Sequence, residues 1–224
     1  IKTACFKSFN KRSAYVNAGK FILTTGGIEN SRLLKWINKV NNFNLLPKNT
    51  PIGNYWMEHP HYKVGEALVD RRWADKYISL SSDIRKNFGI YNAGIRFEQL
   101  GDQGSVALIK DLMCVAPVTG KRIAKLFEKN LVCAGTIRSA WEQEPLHTNR
   151  VELSLDKKDI FGIPNTMLYW EKSENDFYTI QKTMFLINNW IMNQGHGRLK
   201  LDAWITNKEQ YPKYDELGGI GYHH

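Results

Sequence analysis

The sequence predicts an α+β protein: a strand–turn–helix unit, then a mostly antiparallel β-sheet with flanking helices. Three observations predict it. An apolar, β-branched run at residues 21–25 breaks on Gly26 and Gly27, and apolar residues then recur at helical spacing. Short runs of strand character follow between residues 61 and 170, several alternating in polarity. A long amphipathic stretch, SENDFYTIQKTMFLINNWIMNQ, comes after them.

Residues 21–25, FILTT, suit a buried strand. After the glycine pair, Ile28, Leu33, Leu34, Ile37 and Val40 recur near helical spacing, and Glu29 sits in the first turn, where a helix dipole favours an anion. Together these form half of a βαβ unit. Residues 41–60 are rich in Asn, Pro and Gly and read as a loop. Strands are expected at residues 61–69, 91–97, 131–141, 150–155 and 166–170, the last two joined by a Gly/Pro turn. TGKRIAKLFEKN, ahead of the third of these, reads as a short helix. In the long amphipathic stretch, Phe177, Ile180, Met184, Ile187 and Ile191 share one face. Ser173 and Asp176 resemble a capping pair, with Asp in place of the usual Glu, and Gly195 closes the helix. EQYPKYDELGGIGYHH returns to glycine-rich loop. That order suits a β domain inserted after a strand of a nucleotide-binding domain.

With 224 residues and 42% hydrophobic content the chain can bury a sizeable core. No run reaches the ~18 apolar residues of a membrane helix, so no membrane span is expected. The net charge is +9, from 31 Lys and Arg against 22 Asp and Glu. The basic residues are spread thinly, and acidic residues interrupt or flank the densest stretches, DRR at 70–72 and GKRIAKLFEK. A nucleic-acid binder more often shows a dense stripe with interleaved aromatics, so no nucleic-acid partner is expected. The charge is compatible with an anionic ligand or cofactor. Cys5, Cys114 and Cys133 form no CxxC pair and no zinc spacing, and read as free buried thiols in a reducing compartment. The chain opens on Ile with no signal-peptide apolar region, so it is expected to begin inside a longer gene product.

Four stretches carry candidate chemistry. Gly26 and Gly27 let a backbone pass close to a ligand and aim free N–H groups at it. The pair lacks G-x-G-x-x-G, which occurs nowhere in the chain, and a tight structural turn explains it as well. GNYWMEHPHYKV holds Glu58, His59 and His61. Two His two apart on a strand face the same way and could bind metal. Pro60 between them opposes a regular strand, and no third ligand is near in sequence, so no metal is assigned and the loop is read as one packed near a ligand. The closing His223 and His224 read either as the stub of a tag or as a proton acceptor, since imidazole titrates near neutrality. Gly218, Gly219 and Gly221 would let that loop fold tightly. EQEPLHTNRVELSLDKKDIFGIP is the fourth and the most specific.

Taken together, these stretches resemble the glucose–methanol–choline (GMC) family of flavin oxidoreductases, in the family's order, from about residue 20 to residue 224. FILTTGGIENSRLL is similar to the family's strand–Gly–helix bordering the FAD. IGNYWMEHP resembles its VGxNLxDHP loop, with Glu58 at the acid and Tyr55 and Trp56 in place of Asn-Leu. The fourth stretch resembles EQxPNPxSRVxLS…D…G.P, the hairpin after the substrate sheet. GGIGYHH resembles the start of HxxGTxRMG, whose first His is the active-site base. Aligned so, His223 takes the base position, with His224 the second candidate.

The resemblance implies that residues 1–45 are the remnant of a Rossmann-type FAD-binding domain, that 46–206 form a substrate-binding domain, and that 207–224 return to the first domain. The family's Gly-rich pyrophosphate loop would precede Ile1. The chain is then a fragment cut inside its catalytic motif and inactive alone. The implied reaction is FAD-dependent oxidation of an alcohol or sugar hydroxyl, with His-assisted proton removal and hydride transfer to the flavin. Gly26 and Gly27 would approach the FAD, and Glu58 and His59 would line the loop between flavin and substrate. The substrate, the electron acceptor and the compartment, cytoplasm or periplasm, stay open. Two other readings stand beside this one: a non-enzymatic domain binding a carbohydrate or anion, and a metal-dependent hydrolase using His59, His61 and the terminal His pair.

Overall fold

A computed structural model of the chain describes residues 2–69, 73, 76–99, 133–207 and 211–212. The strands are β1 (Thr3–Lys7), β2 (Ser13–Asn17), β3 (His61–Val69), β4 (Tyr77–Ser79), β5 (Ala93–Gln99), β6 (Cys133–Trp141), β7 (Arg150–Lys158), β8 (Pro164–Tyr169) and β9 (Gly197–Leu201). The helices are α1 (Gly27–Val40), α2 (Ser82–Phe88), α3 (Glu174–Asn193) and α4 (Ala203–Thr206). Two compact units divide them, one within Ile1–Met57 and Pro145–Glu171, the other within Glu58–Glu144 and Lys172–His223.

The first unit holds two antiparallel hairpins, β1–β2 and β7–β8, with α1 against the second. No residue of α1 is buried, although its apolar face is partly covered. Much of the attachment is polar. The Arg32 guanidinium donates to the Pro164 carbonyl at 2.6 Å, the Ile163 carbonyl at 3.1 Å and the Asp159 carboxylate at 2.6 Å, and it also pairs with Glu29. The strand expected at residues 21–25 does not form, and the half βαβ unit is present as its turn and helix. Among the described residues no strand runs beside that run to take up its N–H and C=O groups, and Ile22 is 86% exposed. Thr25 instead donates its N–H and hydroxyl to the Asn30 side chain, at 2.9 and 2.7 Å. Cys5 is also exposed rather than buried, because no layer of described residues covers its face of the β1–β2 hairpin.

The second unit is a five-stranded antiparallel sheet in the order β4-β5-β6-β3-β9, with α3 in its core. Ile180, Met184, Ile187 and Ile191 on α3 meet Val64, Ile95, Phe97 and Ile137 from the sheet. In β3 the inward set changes phase: Tyr62 and Val64 are buried, then Ala67 and Val69. A register shift between Lys63 and Gly65 absorbs the extra residue, so both halves of the strand turn apolar side chains to one core. Gly65 and Gly197 let β3 and β9 close on each other. A Cβ at Gly65 would collide with the Lys200 carbonyl, and one at Gly197 with the Leu68 carbonyl.

The strands expected from the sequence at 61–69, 91–97, 131–141, 150–155 and 166–170 correspond to β3, β5, β6, β7 and β8, with ends shifted by up to three residues. The short helix expected in TGKRIAKLFEKN lies outside the described residues. Helix α3 begins on the expected Ser173–Asp176 capping box, both reciprocal bonds present. No helix among the described residues is long and apolar enough to cross a membrane.

Met184 is fully buried between α3 and the sheet. Met184→Ala is expected to destabilise the second unit by about 2–5 kcal/mol, read as a lower denaturant midpoint. An unchanged midpoint would contradict this packing.

Candidate functional site

The glycine turn is built in the first unit. Gly26 is the N-cap of α1 at φ 89, a left-handed conformation, and supplies no side-chain cap to the first-turn N–H groups. Open space lies where its Cβ would project. Gly27 is the opposite case: a Cβ there would lie 2.9 Å from the Trp56 ring, so the missing side chain is what admits the indole. The Trp56 loop is fixed by the start of β7. The Trp56 N–H donates to the Asn149 carbonyl at 2.9 Å, and the Val151 N–H to the Gly53 carbonyl at 2.7 Å. Asn54 and Arg150 add an antiparallel bridge. Asn149 is fully buried, and its side-chain amide both donates to and accepts from the Glu171 backbone at 2.9 Å, which closes the β7–β8 segment at its base.

Asp159 anchors the far end of that hairpin. Its carboxylate accepts the Phe161 N–H at 2.8 Å and the Ile163 N–H at 3.0 Å besides Arg32. Burial pushes this carboxyl up, but the Arg32 hydrogen bond, the two backbone donors and the Arg32 charge together hold it below its usual value. Burial alone would lower Arg32, and the Asp159 bond and the charges of Glu29 and Asp159 reverse the sign. Beside α1 a cavity of about 330 Å³ is lined by Lys35, Asn38, Lys39, Thr50, Ile52 and Glu152 among others. Burial lowers the Lys35 ammonium, opposed by Glu152.

Glu58 and His59 belong to the second unit and differ in setting. Glu58 is buried, and its N–H donates to the Gln143 side-chain oxygen at 2.9 Å. His59 is exposed, while Pro60 after it is buried. Gln143 passes the connection on, donating to Asp176 at 3.1 Å. Asp176 is fully buried and also accepts the Glu144 N–H at 2.7 Å and the Ser173 N–H at 2.8 Å. Beside this network an aromatic cluster joins Tyr62, Trp141, Phe177, Trp204 and Tyr211, with the Lys172 ammonium 4.8 Å from the Tyr211 ring centre. The Trp141 indole N–H is buried and has no acceptor among the described residues.

The structure thus brings Gly27 to Trp56 in one unit and Glu58 to Gln143 in the other. His223 and His224 lie outside the described residues. Among the described residues no three His, Cys, Asp or Glu side chains group as metal ligands. Sequence reasoning missed Trp56, Asn149 and Gln143 as structural partners of the motif residues. The one sequence sign for Trp56 was the bulk of an indole directly after a Gly-Asn-Tyr turn. No family model matches the chain, and no curated protein matches it in sequence.

Two outcomes follow from this geometry. Gly27→Ala should cost about 1–3 kcal/mol by overpacking against Trp56, and most of that cost should vanish in a Trp56→Leu background. A double-mutant cycle on denaturant midpoints measures it, and additive costs would refute the contact. Asp159 has a depressed folded-state pKa, so its contribution to stability is present above the unfolded-state value and is lost as pH falls through the folded one. Asp159→Asn should therefore be destabilising near neutrality, and its deficit against the parent should shrink below pH ~3.9.

Proposed function

We propose that this chain is part of a GMC-type flavin oxidoreductase that oxidises an alcohol or a sugar hydroxyl. The observation that carries the reading is the junction in the first unit. The glycine turn, the GNYW loop and the TNRV segment, far apart in sequence, belong to three of the four stretches on which the resemblance rests, and they meet through Gly27, Trp56, Asn149 and Val151. A chance likeness of short motifs has no reason to bring them together. The weak burial of α1 and the run at residues 21–25, unpaired among the described residues, agree with the remnant of a Rossmann-type FAD-binding domain that the resemblance implies, whose parallel sheet would cover both.

A flavin nucleotide fits the turn in a specific respect. At Gly26 no side chain occupies the space before α1, and no cap side chain takes the first-turn N–H groups, so an oxygen of the cofactor can be received there. FAD, when bound, supplies the hydride acceptor. The chain's own residues hold and deprotonate. Gly26 would receive the cofactor edge, and Gly27, whose side-chain space the Trp56 ring fills, would offer its backbone alone. By the resemblance, Glu58 and His59 would line the loop between flavin and substrate. His223 takes the hydroxyl proton, with His224 the second candidate. The imidazole removes that proton from the alcohol oxygen as the carbon gives up its hydride.

The test uses the protein encoded by the complete reading frame. FAD should copurify, and an alcohol or sugar should reduce it anaerobically. His223→Ala should slow that reduction by roughly 10²–10⁴-fold with FAD still bound, and His224→Ala should do less. The converse pattern moves the base to His224. Unchanged reduction in both variants removes the base assignment, and absence of flavin removes the oxidoreductase reading in favour of a binding domain.

A further inference from the structure

The tips of the two hairpins in the first unit meet. The Phe9 ring, in the β1–β2 turn, lies 5.6 Å from the Phe161 ring in the β7–β8 turn. Much of the apolar surface at these turns is open: Phe9 is 85% exposed and Ile160, which precedes the half-buried Phe161 in sequence, 72%. Cations flank it in the sequence. Lys7, Lys11 and Arg12 stand on one tip and Lys157 and Lys158 on the other, all exposed. The acidic residues there are Asp156 and Asp159. Asp159 is already matched by Arg32 at 2.6 Å, and Asp156 accepts the Ser154 hydroxyl at 2.8 Å.

An exposed apolar pair on hairpins that also carry five exposed cations is poorly suited to burial against another protein domain, where each desolvated cation would need an acidic partner. It is also unlike a nucleic-acid face, where cations follow the phosphates and aromatics stack on bases. It suits a surface that is apolar below and anionic at the level of the cations. We infer that the paired hairpin tips dock on a bilayer carrying anionic phospholipid, with Phe9 and Ile160 entering the headgroup boundary while the Lys and Arg side chains meet the headgroups. This inference does not rest on the flavoenzyme reading.

Cosedimentation of the full chain with vesicles tests it. The chain should bind vesicles of phosphatidylcholine with phosphatidylserine at least ~10-fold more tightly than vesicles of phosphatidylcholine alone, and high salt should weaken that binding. Phe9→Ser with Ile160→Ser, and separately Lys11→Glu with Arg12→Glu, should each lower the apparent affinity by about tenfold or more, with thermal unfolding unchanged because all four side chains are exposed. Should either pair unfold, Lys157→Glu with Lys158→Glu on the other tip gives the same reading. No binding to the anionic vesicles, or equal binding by parent and variants, overturns the inference. Binding to a DNA duplex with none to vesicles also overturns it and assigns the cations to nucleic acid.

Discussion

The second unit depends on one buried carboxylate. Asp176 lies at the start of α3 and takes donors from three places: Ser173 ahead of the helix, Glu144 beyond the end of β6, and the Gln143 side chain. A charge taken out of water at that depth is tolerable because donors meet both of its oxygens. The helix start is thereby tied to the end of the sheet's central strand. Gln143 extends the tie, since its oxygen receives the Glu58 N–H just before β3, which pairs beside β6. Two adjacent strands and the helix that packs on them are thus referenced to a single side chain. The apolar core supplies attraction, but it is non-directional, and the carboxylate sets where the pieces stop.

The first unit is held by directional groups to a greater degree. Val151 is its one fully buried aliphatic side chain among the described residues, and α1 contributes none. In place of a broad core, Arg32 binds the turn of the β7–β8 hairpin and Asn149 binds its base. Hydrogen bonds of this kind fix positions closely while burying little apolar area. The glycine turn is held in the same way, through its neighbours in the chain and the Trp56 ring rather than through a core of its own.

Legibility followed locality. Helix α3 could be read because its stripe and its cap lie within one stretch of sequence, and β3 and β5 to β8 because each carries its own run of apolar or alternating residues. The order β4-β5-β6-β3-β9 could not, since pairing partners stand far apart and no residue names its neighbour. β9, with GRLKL, is short and half-polar, and β1–β2 has almost no buried face to leave a pattern. Residues 21–25 misled in the other direction: their apolar character suited a strand, but strand formation needs a neighbour as well as a propensity. In the candidate site, Gly26, Gly27, Glu58 and His59 stood out by residue type. Trp56 did not, because the space it fills is the absence of a side chain at Gly27. Asn149 and Gln143 are single amides that pair with backbone at loop ends, and such positions carry no period.

The two glycines that bring β3 and β9 together have a bearing on heredity. β9 is the outermost strand of its sheet, and an outer strand that separates leaves β3 as a bare template on which another copy of the chain could add a strand. At Gly65 and Gly197 a backbone carbonyl of the opposite strand occupies the place of the first side-chain atom, so even alanine would force the strands apart. Selection on this region would therefore act on two positions with no chemistry of their own. What it would preserve there is the solubility of the chain, by way of a seam that only empty positions can close.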